Sequence, residues 1–334
     1  MRTYIIKNVD VFTTLPFHGY PSSVITSAEG LTENEMQKIA EEISLVEVAY
    51  ITETGVGRSP FRIRFYTQSN EVNISGHSII SATFALIEEG RIDLNNGHTR
   101  IYIETNEGDI PVDIHYLRKD DSVLPSKADM KDKVRINQGG LLEKIMIKQS
   151  VKDYKHSDVK PESIAEIFEI DPNEIYTTGL PIEEVSTGLH HLLVPIKNLE
   201  TIYNVKPDLI KLSILNRKLG VQTTDIFSLD TAYDCIAQTR HFAPAIGLLE
   251  VEASGMSSVA IGSYLGRHGI SSNESMIFKQ GNDRERLSKV YCKIDKSNAN
   301  DDFNSVYIGG LAATSIERKI EIDDKTSKIK FVQA

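Results

Sequence analysis

One eight-residue phrase occurs in the chain in two spellings. EVNISGHS stands at residues 71–78 and EVEASGMS at 250–257, identical at five of eight positions. Each copy follows a strand-like stretch, FRIRFYTQSN or YDCIAQTRHFAPAIGLL. Each precedes a helix-like run, IISATFALIEEG or SVAIGSYLGRHG, that closes on Gly90 or Gly269, glycine being a common residue just past a helix. These two runs constrain the fold most. Ile79, Ile80, Ala82, Phe84, Ala85 and Leu86 cover nearly the whole circumference of the first, and Val259, Ala260, Ile261, Tyr264 and Leu265 that of the second. A helix that is apolar all round is buried all round, so strands must close around each one.

The parallel extends outward. LTENEMQKIAEEISL places Thr32 as a helix cap with Glu35 three residues on, the spelling of a capping box. VKPDLIKLSILNRKLG fills the same slot in the second half and ends at Gly220. The strand-like VEVAYIT follows the first helix and TTDIFSLD the second, and hairpin-like segments close each half. Each half therefore reads strand, helix, strand, strand, helix, hairpin, an internal duplication on the scale of half the chain rather than a solenoid of short repeats. The fold class is α+β, with two pseudo-symmetric halves, each a barrel-like sheet around a central helix. The division falls between residues 1–130 and 131–334, with the C-terminal strand able to return to the first half. Residues 115–144 are charged and carry no sustained period, which reads as a surface excursion and linker. KIMIKQSV then opens the second half, and KIEIDDKTSKIKFVQA reads as a final hairpin.

Composition narrows the function classes. A net charge of −10 argues against a nucleic-acid or anionic-membrane surface. The two cysteines, Cys235 and Cys292, sit in no zinc-like or disulfide-like spacing, and the expected compartment is the reducing cytoplasm. MRTYIIKNVDVFTTLPF alternates like a strand and has no signal-peptide core, and no apolar run reaches membrane-spanning length. No nucleotide, flavin or metal motif is present, so neither a cofactor nor a metal is expected. His190 and His191 are adjacent and point to opposite faces of a strand. One is expected buried and one exposed, so the two do not ligate one ion together. Arg240 and His241, just before FAP, are candidates to line a cleft.

In both copies of the phrase a Ser-Gly pair stands where strand becomes helix: Ser75-Gly76 and Ser254-Gly255. Serine is a good N-cap, and the first helical turn offers unsatisfied N–H groups and partial positive charge. That combination binds anions. Two pseudo-symmetric copies facing one another would hold a small carboxylate.

Longer segments then carry a resemblance. DVFTTLPFHGYPSSVI (10–25), MQKIAEEISLVEVAYI (36–51), FRIRFYTQSNEVNISGHSIISA (61–82), STGLHHLLVPI (186–196), RHFAPAIGLLEVEASGMSSVAIGSYL (240–265) and KQGNDRERLSKVYCKI (279–294) resemble, in order, the PhzF-like family of phenazine-biosynthesis isomerases. That family shares the diaminopimelate-epimerase fold. The resemblance implies a cofactor-independent active site between the halves, a small carboxylate-bearing metabolite as substrate, and often a homodimer. It places a catalytic acid/base on Glu47, within Ser44-Leu45-Val46-Glu47-Val48, and an assisting histidine on His77. It places substrate contacts on Ser75, Gly76, Ser254, Gly255, Met256 and Tyr20. Ser75 and Ser254 occupy the positions that hold two catalytic thiols in true epimerases. A serine hydroxyl without an activating base is too weak an acid to replace a thiolate, so a two-thiol racemase is not expected. Three positions depart from the family pattern: Tyr20 replaces an Asn, Val251 an Asp and Met256 a Ser. Glu252, one residue beyond Val251, points to the opposite face of a strand. These departures keep two alternatives open: a binding or dimeric interaction protein that has lost turnover, and a lyase or dehydratase on the same scaffold.

Overall fold

Two helices in the computed structural model are buried around their whole circumference, and the strands are arranged about them. The structure describes residues 1–43, 47–55, 57–118, 132–136, 139–271, 275–284, 286–295, 305–324, 326 and 328–332. The chain forms two compact units, residues 1–147 with 309–334, and residues 148–308.

The first unit begins β1 (Arg2–Val11), β2 (Tyr20–Ile25), α1 (Glu33–Ile43), β3 (Val48–Glu53), β4 (Phe61–Tyr66), β5 (Glu71–Val72) and α2 (Gly76–Glu88). It continues with β6 (Gly97–Thr105), β7 (Gly108–Arg118), β8 (Val134–Ile136) and β9 (Gly140–Ser150). The second unit contains β10 (Asp153–His156), α3 (Pro161–Phe168), α4 (Asn173–Tyr176), β11 (Glu183–Ser186), β12 (His190–Pro195), α5 (Leu199–Asn204) and α6 (Leu209–Leu219). Then follow β13 (Thr223–Ser228), β14 (Ala237–Ala243), β15 (Leu248–Val251), α7 (Gly255–Arg267), β16 (Ser275–Gln280), β17 (Ser288–Ile294) and β18 (Ser305–Gly310). The chain closes with β19 (Ala312–Ile322) and β20 (Ile329–Val332).

Both units use one pairing scheme. In the first, β1–β2 is antiparallel, β2–β3 parallel and β3–β4 antiparallel. β4 then takes β5 antiparallel and β6 parallel, and β6–β7 is antiparallel. In the second, β11–β12 is antiparallel, β12–β13 parallel and β13–β14 antiparallel. β14 takes β15 antiparallel and β16 parallel, and β16–β17 is antiparallel. The registers correspond residue by residue: Ser23–Val48–Tyr66–Glu71 in one unit is Leu192–Thr224–Phe242–Glu250 in the other.

The helices behave as their sequences require. Every residue from Ser78 to Ile87 in α2, and from Ser257 to Gly266 in α7, is buried. α2 packs on β1, β2, β3 and β19, and α7 on β11, β12 and β17. Thr32 and Glu35 form the expected capping box, Thr32 N donating to Glu35 Oε2 at 2.9 Å and Glu35 N to Thr32 Oγ1 at 3.3 Å. Asp208 caps α6, and Gly220 ends it with a φ of 75°. A second layer lies outside the strands. Tyr50 and Tyr66 pack with Met36 and Ile39 of α1 in one unit, and Ile226 and Phe242 with Ile164 and Leu212 of α3 and α6 in the other. Alternation along the strands turns Glu47, Ala49 and Phe65, and in the second unit Thr223, Asp225 and His241, toward the central helix.

The chain divides differently from the 130/131 expectation. KIMIKQSV straddles the division: residues 144–147 belong to the first unit and Lys148 opens the second, and residues 144–150 lie in β9, which pairs antiparallel with β7. Residues 115–118 and 140–144 are likewise strand rather than excursion, while residues 119–131 lie outside the described residues. Leu141, Leu142, Ile145 and Ile147 are buried. β19 also belongs there, paired with β1 from Arg2↔Ile322 to Val11↔Ala312, and β20 folds back on it as the final hairpin.

Gly262 of α7 lies against β17. A Cβ there would stand 2.5 Å from Cys292 Sγ and 3.3 Å from Met276 Cε, and Cys292 is fully buried. Gly262→Ala should therefore lower unfolding stability by about 1–3 kcal/mol through overpacking. Urea titration should show the loss, and adding Cys292→Ala in the same chain should recover part of it.

Candidate active site

The first turn of α2 meets β2 and β3 in a small polar cluster. Glu47 is the residue before β3 and is 6 % exposed. Ser78 Oγ donates a hydrogen bond to Glu47 Oε1. Ser78 is itself 3.2 Å from Ser22 Oγ, which is 2.9 Å from Ser81 Oγ. The backbone carbonyl of Glu47 accepts from Ser23 N at 3.3 Å. The carboxylate is thus held from the helix and its backbone from the neighbouring strand. Of the expected motif, Ser44, Leu45 and Val46 lie outside the described residues.

His77 stands beside this carboxylate, its Nε2 3.6 Å from Glu47 Oε1. That is beyond a direct hydrogen bond, and Nε2 is buried with no hydrogen-bond partner among the described residues. Buried polar atoms are nearly always satisfied, so an orphan calls for an explanation. Burial pushes the His77 imidazole below its usual value, and the Glu47 carboxylate opposes that shift. Tyr20 packs edge-on against the ring, centroids 4.9 Å apart.

Ser75 departs from its expected role. It is the N-cap residue of α2, yet its side chain makes no capping bond. Its Oγ lies 3.3 Å from His77 Nδ1 instead. Ser254 in the second unit does cap its helix, accepting from Ser257 N at 3.2 Å, and its own N–H donates to Gln280 Oε1 at 2.9 Å. The sequence difference explains the divergence: His77 offers Ser75 a ring nitrogen, and Met256 offers Ser254 none.

The structure thus brings Glu47, Ser75, His77 and Tyr20 together in the first unit, at the α2 start that Gly76 opens. Ser254, Gly255 and Met256 stand at the corresponding helix start of the second. Val251 is partly buried, and Glu252 is exposed, so Glu252 does not take the place of an inward acid. Ser22 and Ser78 escape the sequence reading, although the signal for one was present. Ser78 and Ser257 are the last shared letters of the repeated phrase. Ser257 Oγ donates to the buried Asp225 Oδ1 at 2.6 Å, so in each unit this serine reaches a carboxylate.

The model of the phenazine biosynthesis-like proteins, PhzC-PhzF, matches residues 9–318. The chain belongs to the PhzC-PhzF family. A PhzF-family crystal structure from Bacillus anthracis superposes with a TM-score of 0.79 at 24% identity, covering 96% of this chain and 100% of that one. The fold is accordingly the diaminopimelate-epimerase-like one. An uncharacterized isomerase of Clostridium acetobutylicum is 29% identical over 303 residues, 89% of this chain and 92% of its own. The trans-2,3-dihydro-3-hydroxyanthranilate isomerase of Pseudomonas fluorescens is 25% identical over 302 residues, 88% and 91% of the respective chains. Among the described residues of this PhzF-family chain, no helix is long and apolar enough to cross a membrane.

Two outcomes follow. Ser78→Ala leaves Glu47 without its hydroxyl donor and should cost about 1–3 kcal/mol in urea unfolding. His77 has a proton affinity lowered by folding, so between its folded value and the unfolded value of about 6.5 the unfolded chain binds more protons. Stability therefore falls as pH drops below about 6.5, and His77→Gln should remove part of that slope in denaturant midpoints measured from pH 7.5 to 5.

Proposed function

We propose that this chain is a cofactor-independent isomerase that moves a proton on a small carboxylate-bearing metabolite, with Glu47 as the acid and base and His77 assisting. The observation that carries the reading is the Glu47–His77 pair: a buried carboxylate and a buried Nε2 without a partner among the described residues, 3.6 Å apart. A substrate atom placed there satisfies both groups. The isomerase names of the relatives point to the same class of chemistry.

Glu47 removes a proton from a carbon conjugated with the substrate carboxylate. The C–H electron pair passes into the conjugated system, where charge develops on the carboxylate oxygens. The first N–H groups of α2 favour that charge. The protonated Glu47 returns the proton to a second carbon, and the carboxylate is regenerated. Burial keeps His77 neutral. With Ser75 Oγ donating to Nδ1, the ring proton sits on Nε2 and faces the substrate as a hydrogen-bond donor.

A second reading, binding without turnover, is favoured by the apolar Val251 and Met256 and by the outward Glu252. Incubation in deuterium oxide with a panel of small amino and cyclic acids, trans-2,3-dihydro-3-hydroxyanthranilate among them, separates the two. Turnover predicts deuterium incorporation that falls at least about 100-fold in Glu47→Gln, with ligand affinity kept. A ligand that binds without exchange supports the second reading. Exchange undiminished in Glu47→Gln removes Glu47 from the chemistry, and exchange with loss of a leaving group makes the protein a lyase.

A further inference from the structure

The second unit carries a side-chain cluster that the proposed proton transfer does not use. His191 of β12, Asp225 of β13 and His241 of β14 lie on three adjacent strands, all facing α7. His191 and Asp225 are fully buried, and His241 is 4 % exposed. Both imidazoles aim Nδ1 at the one carboxylate: His191 Nδ1 is 2.8 Å from Asp225 Oδ2, and His241 Nδ1 is 2.5 Å from Asp225 Oδ1. One ligand atom from each residue lies within 4.8 Å of the other two. Thr223 Oγ1 stands 2.9 Å from His191 Nδ1 and 3.3 Å from Asp225 Oδ2, and Ser257 Oγ reaches Oδ1 at 2.6 Å.

We propose that His191, Asp225 and His241 bind a divalent first-row transition-metal ion of the zinc class, which ties β12, β13 and β14 together beneath the first turn of α7.

Three observations support the site independently of the function proposed above. The first is charge. The Asp225 carboxylate is fully buried, and a charge closed off from water is costly unless compensated. A cation on the facing nitrogen and oxygen atoms compensates it, and a mixed imidazole–carboxylate set suits zinc and its neighbours. The second is the outer contact. His191 Nε2 is held by Thr187 Oγ1 at 2.9 Å, and a metal-bound imidazole characteristically engages its second nitrogen in this way.

The third is the comparison between units. The strand registers place Ser22, Ala49 and Phe65 where the second unit has His191, Asp225 and His241. The same scheme of strands and central helix thus packs with a hydroxyl, a methyl and a phenyl ring at these places. The fold does not need an ionic triad there, so its desolvation must be offset locally. The adjacent His190 is exposed and takes no part, as expected for neighbours on a strand.

The test uses the full chain expressed in zinc-supplemented medium, and separately refolded from urea with Zn²⁺, Co²⁺ or Mn²⁺, because a closed site loads as the chain folds. After desalting, elemental analysis should find about one ion per chain, and the cobalt form should show ligand-field absorption. Refolding with a chelator should lower Tm. The variant H191S/D225A/H241F, which carries the first unit's residues, should hold no metal and show no chelator effect. His241→Asn, a smaller change, should lose most of the metal while staying folded. Folded wild-type protein that stays metal-poor under every loading condition, with Tm indifferent to chelator, overturns the proposal and leaves a proton as the compensating charge. Metal content undiminished in His241→Asn overturns the assignment to these ligands.

Discussion

A helix with no exposed face governs both units. Apolar side chains around the whole circumference of α2 and α7 can leave water only if strands close on every side. The polar groups that remain inside must then find partners. At the N-terminal turn this demand is most acute, because the first N–H groups have no partner within the helix. In each unit a serine in that turn reaches a buried carboxylate: Ser78 to Glu47, and Ser257 to Asp225. The helix start, the strand that carries the acid and the strand beside it are thereby locked together.

The two units satisfy that demand to different degrees. Around Asp225 both carboxylate oxygens have close partners, in His191, His241 and Ser257, and the two imidazoles hold the group well below the ordinary carboxylate range despite full burial. A saturated network of this kind is rigid. Among the described residues, the network around Glu47 stops at a serine chain, and His77 keeps an unpartnered nitrogen facing the acid. The unit with the open valence is the one whose helix start carries a titratable group. The proton exchange proposed for Glu47 requires such an opening, because a fully engaged group cannot take up and release a proton.

Local chemistry explains why parts of the structure were legible. The capping box at Thr32 and the glycine exits at Gly90, Gly220 and Gly269 depend on a few consecutive residues. The buried helices announced themselves by composition alone. The division of the chain did not, because β9 and β19 join the first unit through pairings with β7 and β1, and no local pattern names a distant partner strand. Four of the site residues that the resemblance implies, Glu47, Ser75, His77 and Tyr20, lie together at the α2 start, but Ser22 and Ser78 enter only through hydrogen bonds that span the sequence.

The amino-acid sequence by itself determined the repeated strand–helix scheme, the two buried helices, the Ser-Gly helix starts and the family, all of which rest on periodicity or on contiguous motifs. The tertiary structure alone decided that Ser75 turns to His77 rather than capping its helix. It alone gathered His191, Asp225 and His241 at one point. Strand register sets all such meetings, and register is a property of pairs of strands, each side chain's neighbours being chosen by a segment far away in the chain.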